Sequence, residues 1–64
     1  MEILEGTLDT IKALQSEITG NLAHARTIAR VIARGDGGRE VALAITKLQE
    51  AHSWLSLAIQ EIES

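Results

Sequence analysis

The stretch GDGG, residues 35–38, decides the fold, because it separates two long amphipathic segments. Three glycines within four residues are typical of a tight turn, since glycine adopts left-handed backbone conformations without steric cost. We expect Gly35 to end the first segment in that conformation and Asp36 or Gly38 to begin the second. The chain is therefore predicted to form two helices joined by a short turn.

The segment before the turn, residues 2–34, carries apolar or small residues at alternating steps of four and three. This spacing predicts a helix with one apolar seam. The seam consists of Leu4, Leu8, Ile11, Ile18, Leu22, Ala25, Ala29 and Ile32, with Gln15 in its one polar position. Gly20 and Asn21 disfavour a helix interior, so we expect a kink or a break near Gly20.

The segment after the turn, residues 39–63, repeats the pattern. Its seam consists of Val41, Ile45, Leu48, Leu55, Ile59 and Ile62, with His52 in the polar position. Ala44, Ala51 and Ala58 form a second row, seven residues apart, and small residues in a row allow another helix to approach closely. We expect Gln15 and His52 to fix the register of an assembly through hydrogen bonds to a symmetry-related copy.

These patterns predict an all-α fold, a two-helix antiparallel hairpin that forms a single domain over residues 1–64. In such a hairpin, positions whose numbers sum to about 73 face each other. A chain of this length buries only about 60% of its unfolded surface, and its apolar stripes are too broad for one hairpin to cover. We therefore expect a homo-oligomeric helical bundle, either a dimer or a trimer of dimers.

The composition argues against several functional classes. The chain has no cysteine, which excludes disulfides and thiolate metal sites, and it contains neither a Gly-x-Ser-x-Gly nor a Walker sequence. The facing rule sets His52 near Asn21 rather than near His24, so we expect no metal site. The chain also lacks a cysteine nucleophile and a carboxylate pair with spacing suited to acid and base roles, so we expect no catalytic residues and no cofactor. The acidic start MEILEG and the lack of a long apolar run predict neither a secretion signal nor a membrane span, and hence a soluble intracellular protein.

The charges are unevenly distributed along the chain, whose formal net charge is -3. Residues 24–47 carry five basic and two acidic side chains, a local charge of +3, and the remainder carries one basic and seven acidic side chains, a charge of -6. The turn end should therefore attract a multivalent anion. Arg26, Arg30 and Arg34 lie four residues apart, and their guanidinium groups are suited to bidentate contacts with phosphate or carboxylate. The alternative is that this row is a solvated helix face. The charge map indicates four candidate ligand-binding residues: His24, Arg26, Thr27 and Arg30.

A block of the second segment, GREVALAITKLQEAHSWLSLAI at residues 38–59, combines Arg39 at its start, the run TKLQEA and the only aromatic residue, Trp54. This block resembles the helical hairpin domain of the small phage proteins known as anti-CBASS or anti-Thoeris sponges. The resemblance implies a symmetric oligomer in the host bacterial cytoplasm that binds cyclic di- or trinucleotides without cutting them, and so withholds an activating signal from an immune effector. It adds Arg39, Thr46 and Lys47 to the candidate ligand-binding residues.

Two other functions fit the same sequence. One is a dimeric four-helix bundle that grips RNA or DNA with its arginine row, although a chain with net charge -3 is not expected to bind a long polyanion well. The other is an adaptor hairpin whose apolar faces bind a partner protein.

Overall fold

The computed structural model describes residues 2–32 and 35–64, with side chains from residue 6 onward. Helix α1 spans Glu2–Ile32 and helix α2 spans Gly38–Glu63, and the two pack as an antiparallel hairpin with dimensions of 50 × 15 × 12 Å. The prediction of an all-α helical hairpin is confirmed. Arg34 of the arginine row and the side chain of Leu4 lie outside the described part of the chain.

The chain reverses at Gly37, which has a left-handed backbone (φ 88°) and caps the start of α2. The prediction that Gly35 takes this conformation is wrong. The Gly35 N–H donates to the carbonyl of Ile32, and the left-handed residue comes two positions later, at Gly37. The Gly38 N–H donates to Gly35 O at 3.2 Å, and α2 begins at Gly38, as one of the two expected starts.

Helix α1 continues through Gly20 without interruption. The prediction of a break there is wrong, and burial explains why. Ile18 and Leu22, which flank Gly20, are 8% and 7% exposed and form the buried hydrophobic core of the described residues. Packing two such side chains against α2 outweighs the cost of about 1 kcal/mol that glycine imposes on a helix interior.

The other seam residues whose side chains the structure describes are only half-buried. The chain exposes 5034 Å², whereas a compact monomer of 6.9 kDa is expected to expose about 4,000 Å². A single hairpin therefore leaves an unusual amount of its surface in water.

Polar contacts fix the register of the two helices. Gln15 Nε2 donates to Ser56 Oγ at 2.6 Å and to His52 O at 3.4 Å, and Lys12 Nζ lies 3.0 Å from Glu63 Oε2 near the open end. Gln15 therefore has hydrogen-bond partners within its own chain, because a hydroxyl lies opposite it on α2. Neither described helix combines the length and the hydropathy that crossing a bilayer requires.

Candidate functional site: a cationic groove

The two sides of the hairpin differ in chemistry. Residues seven positions apart share a face of a helix, so each side of the seam collects a fixed set of residues. The groove side carries Lys12, Thr19 and Arg26 on α1 and Gln49, Ser56 and Glu63 on α2, and the cross-helix contacts of Lys12 and Gln15 are made there. The opposite side, here the alanine side, carries Leu14, Asn21 and Ile28 on α1 and Ala44, Ala51 and Ala58 on α2.

A groove of about 400 Å³ lies on the groove side, near the middle of the hairpin. It is lined by Thr19, Leu22 and Arg26 from α1 and by Gln49, His52 and Ser53 from α2. Leu22 is buried and supplies an apolar floor, whereas the other five side chains are polar. This lining contains one cation and no carboxylate, so its electrostatics favour an anion.

The hydrogen bonds show which groove side chains are free to donate to a ligand. Thr19 Oγ1 donates to Gln15 O at 3.2 Å and Ser53 Oγ donates to Gln49 O at 3.1 Å, so both hydroxyl protons are directed at carbonyls of their own helices. The Arg26 guanidinium and the Gln49 amide donate to no other side chain that the structure describes. These two groups and the ring N–H of His52 are therefore the groove's available N–H donors.

The cationic surface extends from the groove towards the turn. Arg30 lies one helical turn beyond Arg26, and Arg39 belongs to a row on α2 that continues every seven residues through Thr46 to Ser53. Within residues 6–32 and 35–64, ion pairs join Lys12 to Glu63 and Lys47 to Glu50, and neither involves an arginine. The guanidinium groups of Arg26, Arg30 and Arg39 are thus not neutralised by any described carboxylate.

The structure divides the residues that the sequence indicated as ligand-binding. Arg26 lines the groove, and Arg30, Arg39 and Thr46 share its side of the hairpin. Thr27 lies on the outer face of α1.

His24 and Lys47 lie on the other side of the hairpin. His24 precedes Val31 by seven residues and Lys47 precedes Trp54 by seven, so each shares the face of an exposed apolar residue. Lys47 Nζ is 3.7 Å from Glu50 Oε2 on its own helix. These two residues are therefore not brought together with Arg26 in one site.

The two candidate threonines donate their hydroxyl protons to their own helices. Thr27 Oγ1 donates to Ala23 O at 3.1 Å and Thr46 Oγ1 donates to Ala42 O at 3.2 Å. As acceptors they remain available to a sugar hydroxyl, but donation to a phosphate would require each hydroxyl to rotate away from the helix.

Sequence reasoning did not identify Thr19, Leu22, Gln49 or Ser53 as ligand-binding residues, and it assigned His52 to the register of the helices. A signal was nevertheless present. The facing rule sets Arg26 opposite residue 47 and Thr19 opposite residue 54. Close to these two positions, the heptad pattern places Gln49 and Ser53 on the same side of the hairpin as Arg26. Applying both rules together would have identified the groove.

No group of three or more histidine or acidic side chains within the described residues is placed to hold a metal ion. Comparison with protein-family models, with curated proteins and with solved structures finds no match to this chain.

Proposed function

We propose that the chain is a non-catalytic binding protein of a phage, which sequesters cyclic di- or trinucleotides in the cytoplasm of a bacterial host and so blocks anti-phage signalling. The observation that carries this proposal is the groove, in which Arg26 and Gln49 present free donors and no carboxylate opposes an anion. The resemblance of residues 38–59 to sponge hairpins suggests that the anion is a cyclic oligonucleotide.

The groove's chemistry suits a nucleotide. A phosphodiester carries a permanent negative charge, and the planar fork of Arg26 can donate two parallel hydrogen bonds to it. The Gln49 amide lies across the groove and can contact either the phosphate or the edge of a base. Leu22 and the His52 ring offer an apolar floor and a flat surface against which a base or sugar can lie.

The position of Trp54 affects how a base would be held. Trp54 is 65% exposed and lies on the outer face of α2 away from the groove, since it follows Lys47 by seven residues. A base in the groove would therefore stack on His52 or on the guanidinium plane of Arg26. Both groups can stack on any base. We expect the protein to accept more than one base at this position.

The size of the ligand follows from the charge distribution. Arg30 and Arg39 extend the cationic surface beyond the groove, which supports a ligand with more than one phosphate. A long nucleic acid would also meet the acidic end, where the net charge is -6, and would be repelled. A compact cyclic oligonucleotide contacts the positive region alone.

The adaptor function remains a second candidate because of two exposed apolar side chains. Val31 is 81% exposed and Trp54 is 65% exposed, and neither belongs to the groove. An adaptor would use these residues to bind a partner protein and would not need Arg26.

Calorimetric titration with a panel of cyclic di- and trinucleotides tests the proposal, with a linear dinucleotide and inorganic phosphate as controls. We expect saturable binding of at least one cyclic ligand, and recovery of that ligand intact after the complex is denatured. Recovery of a cleaved ligand would identify an enzyme instead. Equal binding of inorganic phosphate would indicate a general anion site, and no heat with any cyclic ligand would reject the sponge function.

A further inference from the structure

The exposed apolar surface of the hairpin is confined to one region. The six exposed large hydrophobic side chains of the described residues lie on the alanine side or on the outer faces of the two helices: Leu14, Ile28, Val31, Leu43, Trp54 and Leu57. None shares the groove side, where four of the five described lysine and arginine residues lie, namely Lys12, Arg26, Arg30 and Arg39. One side of the hairpin is therefore suited to water and a charged ligand, and the other is suited to protein.

The alanine side is large enough for a stable interface. A hairpin 50 Å long and 15 Å wide has a projected area of about 750 Å², which is of the same order as the roughly 800 Å² of accessible surface that each partner buries in a specific complex. Covering it would also remove much of the excess exposure of the single hairpin.

We propose that the alanine side binds a second copy of this chain in the inverted direction. The two-fold axis runs along the interface, between the two copies of Asn21 and between the two copies of Ala51. Residues of similar size lie at equal distances on either side of these two positions. On α1, Leu14 and Ile28 each lie seven residues from Asn21. On α2, Ala44 and Ala58 each lie seven residues from Ala51.

The facing rule sets Asn21 and Ala51 at nearly the same level along the hairpin, so one axis serves both helices. Inversion then sets Ile28 against Leu14 of the partner subunit, and Ala44 against Ala58 of the partner subunit. The two Asn21 amides meet at the axis, where each can donate to and accept from the other. The alanines let the two α2 helices approach closely, and Leu14 and Ile28 fill the space between the two α1 helices.

Charge selects the inverted direction over the parallel one. In a parallel pair the two turn ends, each with a local charge of +3, would lie side by side, as would the two ends that carry -6. Inversion places each turn end against the acidic end of the other copy, which converts two repulsions into two attractions.

Individual residues that border the alanine side agree with this direction. His24 lies three residues after Asn21 and Glu17 lies four before it, so inversion sets His24 beside Glu17 of the partner subunit. On α2, Lys47 lies four residues before Ala51 and Trp54 lies three residues after it. Inversion therefore sets Lys47 beside Trp54 of the partner subunit. A lysine beside an indole ring is a favourable pair. His24 and Lys47, which the groove does not use, thereby gain neighbours.

Sedimentation measurements test the assembly. We expect a particle of twice the 6.9 kDa chain mass. Leu14→Glu should raise the dissociation constant of the dimer by about tenfold or more, because it places a charge in the centre of the interface. Thr19→Glu, a matched change on the groove side, should leave the dimer intact. A monomer at all concentrations would overturn the proposal and would leave the alanine side to a different protein.

Disulfide trapping tests the direction of packing, and the natural chain supplies no competing cysteine. Asn21→Cys should form a covalent dimer on mild oxidation, because the axis brings its two copies together. Leu14→Cys and Ile28→Cys should each crosslink poorly alone and efficiently when mixed. Self-crosslinking of Leu14→Cys, or failure of Asn21→Cys in a confirmed dimer, would overturn the inverted packing. Ser53→Cys on the groove side is the negative control.

Discussion

Gln15 and Ser56 are joined across the hairpin by a hydrogen bond of 2.6 Å from Nε2 to Oγ, which links positions 41 residues apart in the chain. Gln15 occupies a seam position that would otherwise hold an apolar side chain, and it is only partly buried. The bond fixes how far α2 slides along α1, because a shift of one turn would leave the amide without its partner.

A double-mutant cycle should show that these two residues are coupled. We expect Gln15→Ala and Ser56→Ala each to lower the free energy of unfolding by about 1 kcal/mol, and the double variant to lose less than the sum of the two. Urea denaturation followed by far-ultraviolet circular dichroism measures all four proteins. Strict additivity would show that the hydrogen bond contributes nothing to stability.

Two glycines should respond in opposite ways to the same substitution. Gly37→Ala places a Cβ on a left-handed backbone and should destabilise the hairpin by about 1–2 kcal/mol. Gly20→Ala should stabilise it by about 0.5–1 kcal/mol, since an added Cβ there meets no atom within 4 Å and the backbone is helical.

Each variant is the control for the other, because both add one methyl group. Thermal or urea unfolding at equal protein concentration gives the comparison. A stabilising effect of Gly37→Ala would mean that the turn differs from the one described, and a destabilising effect of Gly20→Ala would mean that this position is covered by a neighbouring helix.

Periodicity predicted the two helices and their facing sides well, but local propensity predicted the turn and Gly20 poorly. The seam was predictable because buried side chains recur at steps of three and four residues along a helix, and the sequence shows this spacing. The position of the left-handed residue was hard to predict, because any of three closely spaced glycines can adopt a positive φ. At Gly20 the packing of Ile18 and Leu22 outweighed the local preference.

The site was harder to predict than the fold for a related reason. Charge along the sequence located the cationic end and Arg26, but it did not separate the two sides of each helix. Lys47 belongs to the same charged segment as Arg39, yet it lies on the opposite side of α2 from the row of Arg39, Thr46 and Ser53. Assigning each charged residue to its heptad position, in addition to its place along the chain, separates Lys47 from the row of Arg39.

Removing Arg26 should weaken ligand binding far more than removing Lys47. Arg26→Gln deletes a charge-assisted contact in the groove, and we expect cyclic-nucleotide affinity to fall about tenfold to a hundredfold. Lys47→Gln deletes the same charge on the alanine side and should change affinity by less than about threefold, since long-range attraction is screened. Arg39→Glu, which reverses a charge near the turn, should give an intermediate loss.

Titration calorimetry at constant ionic strength measures these affinities, and circular dichroism confirms that each variant remains helical. Equal losses for Arg26→Gln and Lys47→Gln would mean that only the overall field matters and that the groove is not the site. Unchanged binding in both Arg26→Gln and Arg39→Glu would remove the arginines from the site altogether.

Trp54 provides an internal reporter of assembly, because it is the only aromatic residue of the chain and is 65% exposed in the single hairpin. In the inverted dimer it lies beside Lys47 of the partner subunit and loses contact with water. Its fluorescence emission should therefore shift to longer wavelength as the protein is diluted through the dimer dissociation constant.

The Leu14→Glu variant should emit at the longer wavelength at every concentration, since it weakens the dimer without touching Trp54. Lys47→Gln should still show the shift, but at a higher protein concentration than the natural chain, because one favourable neighbour of the indole is lost. A dimer whose Trp54 emission is independent of concentration would place the indole outside the interface. That result would require the α2 helices to pack through a face other than the one that carries Ala44, Ala51 and Ala58.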